Sequence, residues 1–181
     1  INILTKDPHT NLYGFDKKLP LLNNKCTNSY TYTTNSFAEL KDGTILAGGQ
    51  QGVYQNKGSG IFKSLFKKNN HEKVVEVWNI LEDKNGNIWI GTNNNGLFVY
   101  NKVDELLHHY QYNDTDSSLL INNSVWKIFE DSQGNIWLGT DNGLLKVKAD
   151  SVQDISRLSF DVIKSPTIDK TSIWSITEDT N

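Results

Sequence analysis

The chain repeats itself with a spacing of 48 residues, and this spacing constrains the fold more than any other feature. VWNILEDKNGNIWIGT at 77–92 aligns without gaps with VWKIFEDSQGNIWLGT at 125–140, and eleven of the sixteen positions are identical. The pattern begins again as IWSITED at 173–179, and a weaker copy, LKDGTILAGGQQGVY, lies at 40–54 with a spacing of 43. Such periods are typical of repeat architectures, in which each unit packs on its neighbours.

Each strong repeat predicts four short strands. In the first, nearly continuous apolar runs at 77–81 and 88–92 are too short for helices and suit strands buried on both faces. A third strand is expected at 97–100, and the alternation in HHYQY at 108–112 predicts a fourth, more exposed one. Four strands per repeat, without a helical period, are typical of a propeller blade. We therefore predict an all-β fold: a β-propeller fragment with four-stranded antiparallel blades.

We expect a single propeller region over residues 1–181, with about three full blades and two partial ones. The full blades are expected at about 37–70, 77–112 and 125–164, with a partial blade at 1–30 and the start of another at 173–181. The absence of methionine and of a signal peptide favours a fragment. Two arrangements fit: a segment of a larger ring, or a four-bladed ring whose end pieces share one blade. We favour the larger ring, because the shared blade would lack its Gly-Asn-Ile-Trp strand.

Composition excludes several kinds of partner. The net charge is -3, from 18 basic and 21 acidic residues spread along the chain, so no contact with nucleic acid is expected. No apolar run approaches the roughly 20 residues that cross a bilayer, so a membrane span is expected only outside this region. Cys26 is the single cysteine, which excludes an internal disulfide framework. The four histidines show no ligand spacing, and we expect no metal or other cofactor.

Paired carboxylates recur once per blade, at 82–83, 130–131 and 178–179. Such pairs can perform acid/base chemistry or hold hard cations. A catalytic centre is needed only once, however, and Gln133 is a poor calcium ligand. The pattern is explained more simply by turn formation, in which Asp bonds backbone N–H groups and Gly86 and Gly134 take left-handed conformations. We interpret the pairs as hairpin locks and expect no catalytic residue.

Two sets of tryptophans occupy different places in the repeat. Trp89 and Trp137 lie two residues before a glycine in the second strand, where they are expected to wedge between blades while the glycine allows close approach. A second set begins each inner strand, at the mouth of the expected central channel. This position is compatible with a packing role and with a ligand-binding role. On position alone, the candidate ligand-binding residues are Trp78, Asn79, Asn123, Trp126, Lys127 and Trp174.

The blocks ILEDKNGNIWIGTNNNGLFVYN and HHYQYNDTDSSLLINNSVWKIFEDSQGNIWLGTDNGLLKV closely resemble the two-component regulator propeller repeat. That repeat has Glu-Asp, two variable residues, Gly-Asn-x-Trp-x-Gly-Thr and Asn-Gly-Leu, with Leu-x-Asn-Asn between copies. The likeness is strong over 77–147, partial at 173–179 and weak at 40–54, where Leu46 and Gly49 replace Trp and Thr.

This resemblance implies a sensor. In such proteins, tandem propellers form the periplasmic input region of membrane-spanning hybrid histidine kinases, which often detect products of polysaccharide breakdown. It therefore implies a non-enzymatic region that binds a small molecule or oligosaccharide, in the periplasmic or extracellular part of a bacterial inner-membrane protein. A kinase module, a membrane span and dimerisation would belong to the full-length sensor. The family carries no transferable catalytic residues.

Two alternatives remain open at this stage. The motif Asp-x-x-Gly-Asn-x-Trp is also similar to the Asp-box hairpin of propeller enzymes, such as sialidases, and streptogramin lyases are propellers as well. Sialidase chemistry requires an arginine cluster, whereas Arg157 is the only arginine. A protein-interaction scaffold of WD type is equally compatible with the bare fold.

Overall fold

The computed structural model describes residues 3–6, 13–16, 33–65, 75–116 and 119–179. Cys26, and the rest of the partial blade predicted at 1–30, lie outside these residues. The chain divides into two units, Ile1–Thr31 and Tyr32–Asn181. In the first unit, strand β1 (Ile3–Lys6) pairs antiparallel with β2 (Tyr13–Asp16), and Ile3 lies opposite Asp16.

The described part of the second unit contains three four-stranded antiparallel sheets, each a meander in chain order. Blade 1 comprises β3 (Thr34–Glu39), β4 (Ile45–Gly49), β5 (Gly52–Asn56) and β6 (Lys63–Ser64). Blade 2 comprises β7 (Val77–Glu82), β8 (Asn87–Thr92), β9 (Leu97–Asn101) and β10 (Leu106–Tyr110). Blade 3 comprises β11 (Val125–Glu130), β12 (Ile136–Thr140), β13 (Gly143–Val147) and β14 (Asp161–Val162), with a 3-10 turn at Ser151–Gln153. The predicted all-β propeller architecture is confirmed.

The fourth strand of blade 2 begins and ends two residues earlier than predicted. The turn before it is tight, because the Asn101 side-chain oxygen accepts the Val103 and Asp104 N–H groups at 2.8 and 3.1 Å. Glu105 then takes a left-handed conformation (φ 53°), and β10 starts at the next residue. Tyr112, predicted to end this strand, instead forms an isolated bridge further along the chain.

Burial differs between the first two strands of a blade. All six residues of β8 are buried, as predicted for a strand covered on both faces. In β7, only Val77 and Ile80 are buried, and the other four positions are partly exposed. The prediction of full burial is therefore wrong for β7, because the innermost strand has no neighbour within its sheet on one edge.

Glycines in the second strands let neighbouring blades approach closely. A Cβ atom at Gly48 would lie 2.5 Å from Val77 Cγ1, and one at Gly91 would lie 2.6 Å from the Val125 carbonyl oxygen. Gly139 stands in the same relation to the Ile173 carbonyl oxygen. The inner strands of blades 2 and 3, and Ile173 after them, thus each lie against a glycine of the preceding blade, as predicted for Gly91 and Gly139.

The apolar core lies between blades. Two clusters of buried side chains are present in the described part of the chain. The cluster between blades 1 and 2 includes Leu46, Val53, Val77, Ile80 and Ile88. The cluster between blades 2 and 3 includes Trp89, Leu97, Val125, Ile128 and Leu138.

The recurrent glutamates connect neighbouring blades, a role that sequence reasoning did not predict. Glu82 Oε2 accepts the backbone N–H of Lys41 at 2.6 Å, and both oxygens of Glu130 accept the Lys84 N–H at 3.1 Å. The spacing between Lys41 and Lys84 is 43 residues, so the same bond repeats from one blade to the next.

The lysines of these turns reach in the same direction. Lys41 Nζ donates to the Asp83 and Lys84 carbonyl oxygens at 2.9 and 2.7 Å. Lys84 Nζ donates to the carbonyl oxygens of Asp131 and Ser132 at 3.0 and 2.9 Å. A two-way latch therefore links the first hairpin turn of each blade to that of the next.

Residues 173–178, predicted to be an inner strand, lie against blade 3. The Ile173 N–H donates to the Thr140 carbonyl at 2.9 Å, and Glu178 Oε2 accepts the Ser132 N–H at 2.8 Å. They form no strand, because no second strand pairs with them among the described residues. Their contacts nevertheless place them where a following blade would begin.

We expect Gly91→Ala to lower the free energy of unfolding by about 1–3 kcal/mol, since its methyl group would meet the Val125 backbone. Urea unfolding followed by circular dichroism measures this change. Gly58→Asn is the control, because Gly58 has a positive φ that Asn tolerates and nothing lies within 4 Å of its Cβ position. Equal stability of the Gly91 variant and the wild type would contradict the close approach.

Candidate functional site

The aspartate of each carboxylate pair in blade 2 and blade 3 is a structural acceptor. In blade 2, Asp83 is fully buried, and its Oδ1 accepts the Asn87 N–H at 2.8 Å. Its Oδ2 accepts the Asn87 side-chain amide at 2.9 Å and the Trp89 indole N–H at 2.8 Å. Gly86 completes the turn with φ 83°. The interpretation as a hairpin lock is confirmed here.

Blade 3 repeats the lock. Asp131 accepts hydrogen bonds from the backbone N–H of Asn135 at 2.8 Å and of Gln133 at 3.0 Å, and from the Trp137 indole at 2.8 Å. Burial opposes ionisation of this carboxyl, but the hydrogen bonds from Trp137, Asn135 and Gln133 outweigh it and hold the pKa of Asp131 below its ordinary value of 3.8. The carboxylate is therefore ionised and occupied within its own hairpin.

Blade 1 replaces both ends of this lock. Leu40 stands at the aspartate position and Leu46 at the tryptophan position, and they are 4% and 0% exposed. The turn is held instead by Asp42, whose Oδ1 accepts the Thr44 N–H at 2.9 Å. The buried acceptor and the buried donor have been exchanged together for an apolar pair.

The tryptophans of the locks also fill space between blades. Trp89 is fully buried in the cluster between blades 2 and 3, which confirms the predicted wedge. Trp137 is only partly buried, and the Lys146 ammonium lies 4.8 Å from its ring centroid. These side chains are occupied by structural contacts.

Trp78, Trp126 and Trp174 come together, and we refer to them as the tryptophan cluster. The rings of Trp126 and Trp174 are stacked, with centroids 4.5 Å apart and planes inclined by 20°. Trp78 meets both edge-on, with centroids 5.0 Å from Trp126 and 6.0 Å from Trp174. Three residues that are 48 positions apart in sequence thus form one aromatic surface.

A bulge in the inner strand aims these side chains. The register shifts between Val77 and Asn79, and again between Val125 and Lys127, so Trp78 and Trp126 are the extra residues. Bulges commonly redirect a side chain in this way. In blade 1, the equivalent residue is Asn35, whose amide donates to the Val77 carbonyl at 3.0 Å.

The three tryptophans of the cluster differ in hydrogen bonding and exposure. Trp126 Nε1 donates to Asp141 Oδ1 at 3.4 Å, and the Ser172 hydroxyl donates to the same oxygen. Trp78 Nε1 is buried and has no hydrogen-bond partner among the described residues. Trp174 is 57% exposed. The cluster therefore offers an exposed ring at Trp174, whereas the donor of Trp78 is buried.

The other three candidate residues divide by role. Asn79 Oδ1 accepts the Ile128 N–H at 2.7 Å, which ties blade 2 to blade 3. Asn123 Oδ1 accepts the Tyr112 N–H at 2.7 Å and so fixes the link between these blades. Lys127 is partly buried and, within the described ranges, makes no side-chain hydrogen bond or ion pair. Of these three side chains, Lys127 is thus the one that holds no other residue in place among the described ranges.

A concavity of about 490 Å³ lies away from the tryptophan cluster, along the link between blades 2 and 3. Sequence reasoning missed it, although the polar and aromatic run HHYQYND was its available signal. Tyr112 on its wall is 49% exposed. The lining residues are His109, Gln111, Tyr112, Asn113, Asp114 and Leu119.

In the part of the chain that the structure describes, no three His, Cys, Asp or Glu side chains are grouped to hold a metal ion. The described residues also include no helix of the length and apolarity that crossing a membrane requires.

Comparison with known proteins identifies the repeat. A model of the two-component regulator propeller family matches residues 73–94 and 119–142, which span the recurrent hairpins of blades 2 and 3. These two segments match the two-component regulator propeller repeat. No curated protein sequence matches it.

Solved structures share the propeller fold. The extracellular domain of one proposed hybrid two-component system from B. thetaiotaomicron has a TM-score of 0.65 and 22% identity, over 80% of this chain and 20% of that one. A second such domain, from the same organism, has a TM-score of 0.60 and 24% identity, over 81% and 20%. A streptogramin B lyase has a TM-score of 0.52 and 19% identity, over 74% and 41%. The chain thus spans about a fifth of the length of the first two.

The lock of the regulator propeller repeat gives a prediction about coupling. Asp83→Leu leaves the Trp89 donor unpaired and Trp89→Leu removes a donor from Asp83, so each costs stability, whereas the double variant reproduces the apolar pair of blade 1. We expect the double variant to be less destabilised than the sum of the single variants by about 1–3 kcal/mol. Urea unfolding of all four proteins measures this term, and additivity within about 0.5 kcal/mol would contradict the lock.

The lowered pKa of Asp131 predicts a dependence of stability on pH. Because the folded-state value lies below the unfolded one, its contribution is complete above the unfolded pKa and is lost as pH falls through the folded pKa. We expect the melting temperature of Asp131→Asn to lie below that of the wild type at pH 7. The gap should narrow below about pH 4. A constant gap down to pH 2 would contradict this account.

Proposed function

We propose that this chain belongs to the extracytoplasmic, ligand-sensing propeller of a hybrid two-component sensor kinase, and that its ligand is a carbohydrate. The family of the repeats supports the sensor role, and two structures with the same fold are extracellular domains of proposed hybrid two-component systems. The location, the membrane span and the kinase module of the full-length protein are parts of this proposal. The region itself acts by binding rather than by catalysis.

The tryptophan cluster is the observation that supports carbohydrate binding. Ligand sites are lined mainly by apolar and aromatic side chains, with a few polar groups that fix orientation. The cluster supplies an exposed ring at Trp174, and the partly buried Lys127 follows Trp126 in the chain. Sugar rings present apolar C–H faces, which suit an open indole, together with hydroxyl groups that suit the donors.

Binding at this place would also reach more than one blade. The three rings come from β7, from β11 and from residues that lie against blade 3. A ligand that contacts all three would favour one arrangement of the blades over others, and a ligand shifts an equilibrium only through such differential contacts. This provides a physical route from occupancy to the signalling modules.

The likeness to a streptogramin B lyase concerns the fold, since the identity is 19%. A shared fold does not imply a shared reaction. Turnover of a bound saccharide or of a streptogramin would replace the sensor proposal with an enzyme. Capture of a protein partner without any saccharide binding would replace it with a scaffold.

A titration tests the proposal on the full-length extracytoplasmic region. Oligosaccharides are added while tryptophan fluorescence and heat of binding are recorded, and a ligand at 100 times its Kd should raise the free energy of unfolding by about 2.7 kcal/mol. We expect Trp174→Ala to weaken binding at least about tenfold, which is about 1.4 kcal/mol, with little loss of stability, because the ring is largely exposed.

Two variants serve as controls for that titration. Trp174→Phe keeps a flat ring and should retain most of the affinity. Tyr112→Ala removes an exposed aromatic side chain outside the cluster and should leave the affinity unchanged. Equal binding by Trp174→Ala and the wild type would contradict the assignment of the site.

A further inference from the structure

The outer strand of blade 2 differs from the outer strands of blades 1 and 3. β10 has five residues, whereas β6 and β14 have two each. The exposed strand β6 contains Lys63, and Asp161 of β14 forms an ion pair with Lys148 at 3.2 Å. Short length and charged side chains both protect a sheet edge from pairing with another chain. Blades 1 and 3 therefore end in protected edges.

β10 has neither form of protection. Its sequence, LLHHY, contains no Lys, Arg, Asp or Glu. It pairs with β9 on one side, and within the described ranges no strand and no loop backbone is hydrogen-bonded to its other side. An edge strand of this kind presents a row of unpaired N–H and C=O groups. β10 can therefore template the addition of a further strand.

Apolar side chains accompany these backbone groups. Leu106 and Leu107 are exposed, and Val103 in the preceding turn is 90% exposed. Successive strand residues point to opposite faces, so the two leucines border the edge on both faces of the sheet. Exposed apolar side chains that lie together mark contact surfaces, whereas scattered ones do not. We refer to Val103 and Leu106–Tyr110 as the β10 edge.

We propose that the β10 edge is an interface with a second copy of this protein, in which the two β10 strands pair antiparallel about a two-fold axis. Such an interface uses the same surface on both copies, so the surface has to be self-complementary. Pairing along the full length of the strand places His108 opposite the partner's His108. It also places Leu107 opposite the partner's His109, as an aliphatic–aromatic pair of the kind that stabilises sheets.

The charges beside the strand favour this arrangement. Asp104 and Glu105 directly precede β10, whereas the uncharged Gln111 and Tyr112 follow it. Antiparallel pairing of two copies places each acidic end beside the uncharged end of the other, with Glu105 opposite the partner's Gln111. Parallel pairing would place the acidic ends side by side, and like charges directly opposite each other are destabilising. The edge thus matches an antiparallel copy of itself in length, polarity and charge.

A charge on the edge tests the interface. We expect Leu106→Lys to weaken dimerisation at least about tenfold, because lysine is a residue that blocks edge pairing. Its melting temperature should be unchanged, since Leu106 is 52% exposed. Ile61→Lys is the matched control, because Ile61 is also 52% exposed but lies outside the β10 edge. Sedimentation velocity over a concentration series, on the full-length extracytoplasmic region without ligand, measures the dissociation constant.

A cross-link tests the register. Directly opposite residues of antiparallel strands have Cα atoms about 4.5–5.5 Å apart, which lies within the span of a disulfide. In a Cys26→Ser background, we expect His108→Cys to form a disulfide between two copies under mild oxidation. Ile61→Cys in the same background is the control and should remain a thiol.

Dimers that weaken in Leu106→Lys, remain in Ile61→Lys and cross-link through His108→Cys support the inference. Monomers at every concentration overturn it, and so does a monomer that captures a different protein through this edge. Dimers that persist in Leu106→Lys and fail to cross-link through His108→Cys have their interface elsewhere, and this result overturns it as well. Because no ligand is present, none of these results bears on the proposed carbohydrate sensing.

Discussion

Close contact between neighbouring blades is the constraint on which the described structure depends. A single four-stranded sheet cannot bury its own faces, and both apolar clusters lie between blades. Gly48, Gly91 and Gly139 allow an inner strand to approach the second strand before it, and the Glu–Lys latches hold the hairpin turns in the same order. A residue repeated at these junctions is therefore selected by packing, even where its chemistry suggests catalysis.

The locks show that one buried place can be filled either by a hydrogen-bonded polar pair or by an apolar pair. Asp83 and Trp89 are buried together and satisfy each other, whereas Leu40 and Leu46 fill the equivalent places without any polar group. Replacing both partners of a buried hydrogen bond by apolar groups can be nearly neutral, while removing one leaves a costly orphan. Blades 1 to 3, as described, contain both of these pairs and no mixed one, which is why a tryptophan signature alone fails to find blade 1.

The repeat was sufficient to predict the blades, the hairpin locks and the glycine contacts, because each depends on local sequence or on the period. The boundaries of β10 depended on the Asn101 turn, which has no counterpart in the motif. The latches were missed because Glu82 and Lys41 are 41 residues apart and meet only across a blade junction. For the same reason, the sequence predicted that the three tryptophans occupy one position in the repeat, but not that their rings meet. It also did not predict that Asn79 bonds the neighbouring blade.

Equivalent inner-strand positions differ between blades in whether their side chains bond the next blade. The oxygen of Ser36 or Asn79 is bonded across the junction, so its chemistry is occupied. Lys127 keeps the place but cannot make the bond, and the same contrast separates Asn35, which is bonded, from Trp78, whose donor is free among the described residues. Both residues lie in inner strands of neighbouring blades, and each carries a hydrogen-bond donor where the compared residue is bonded.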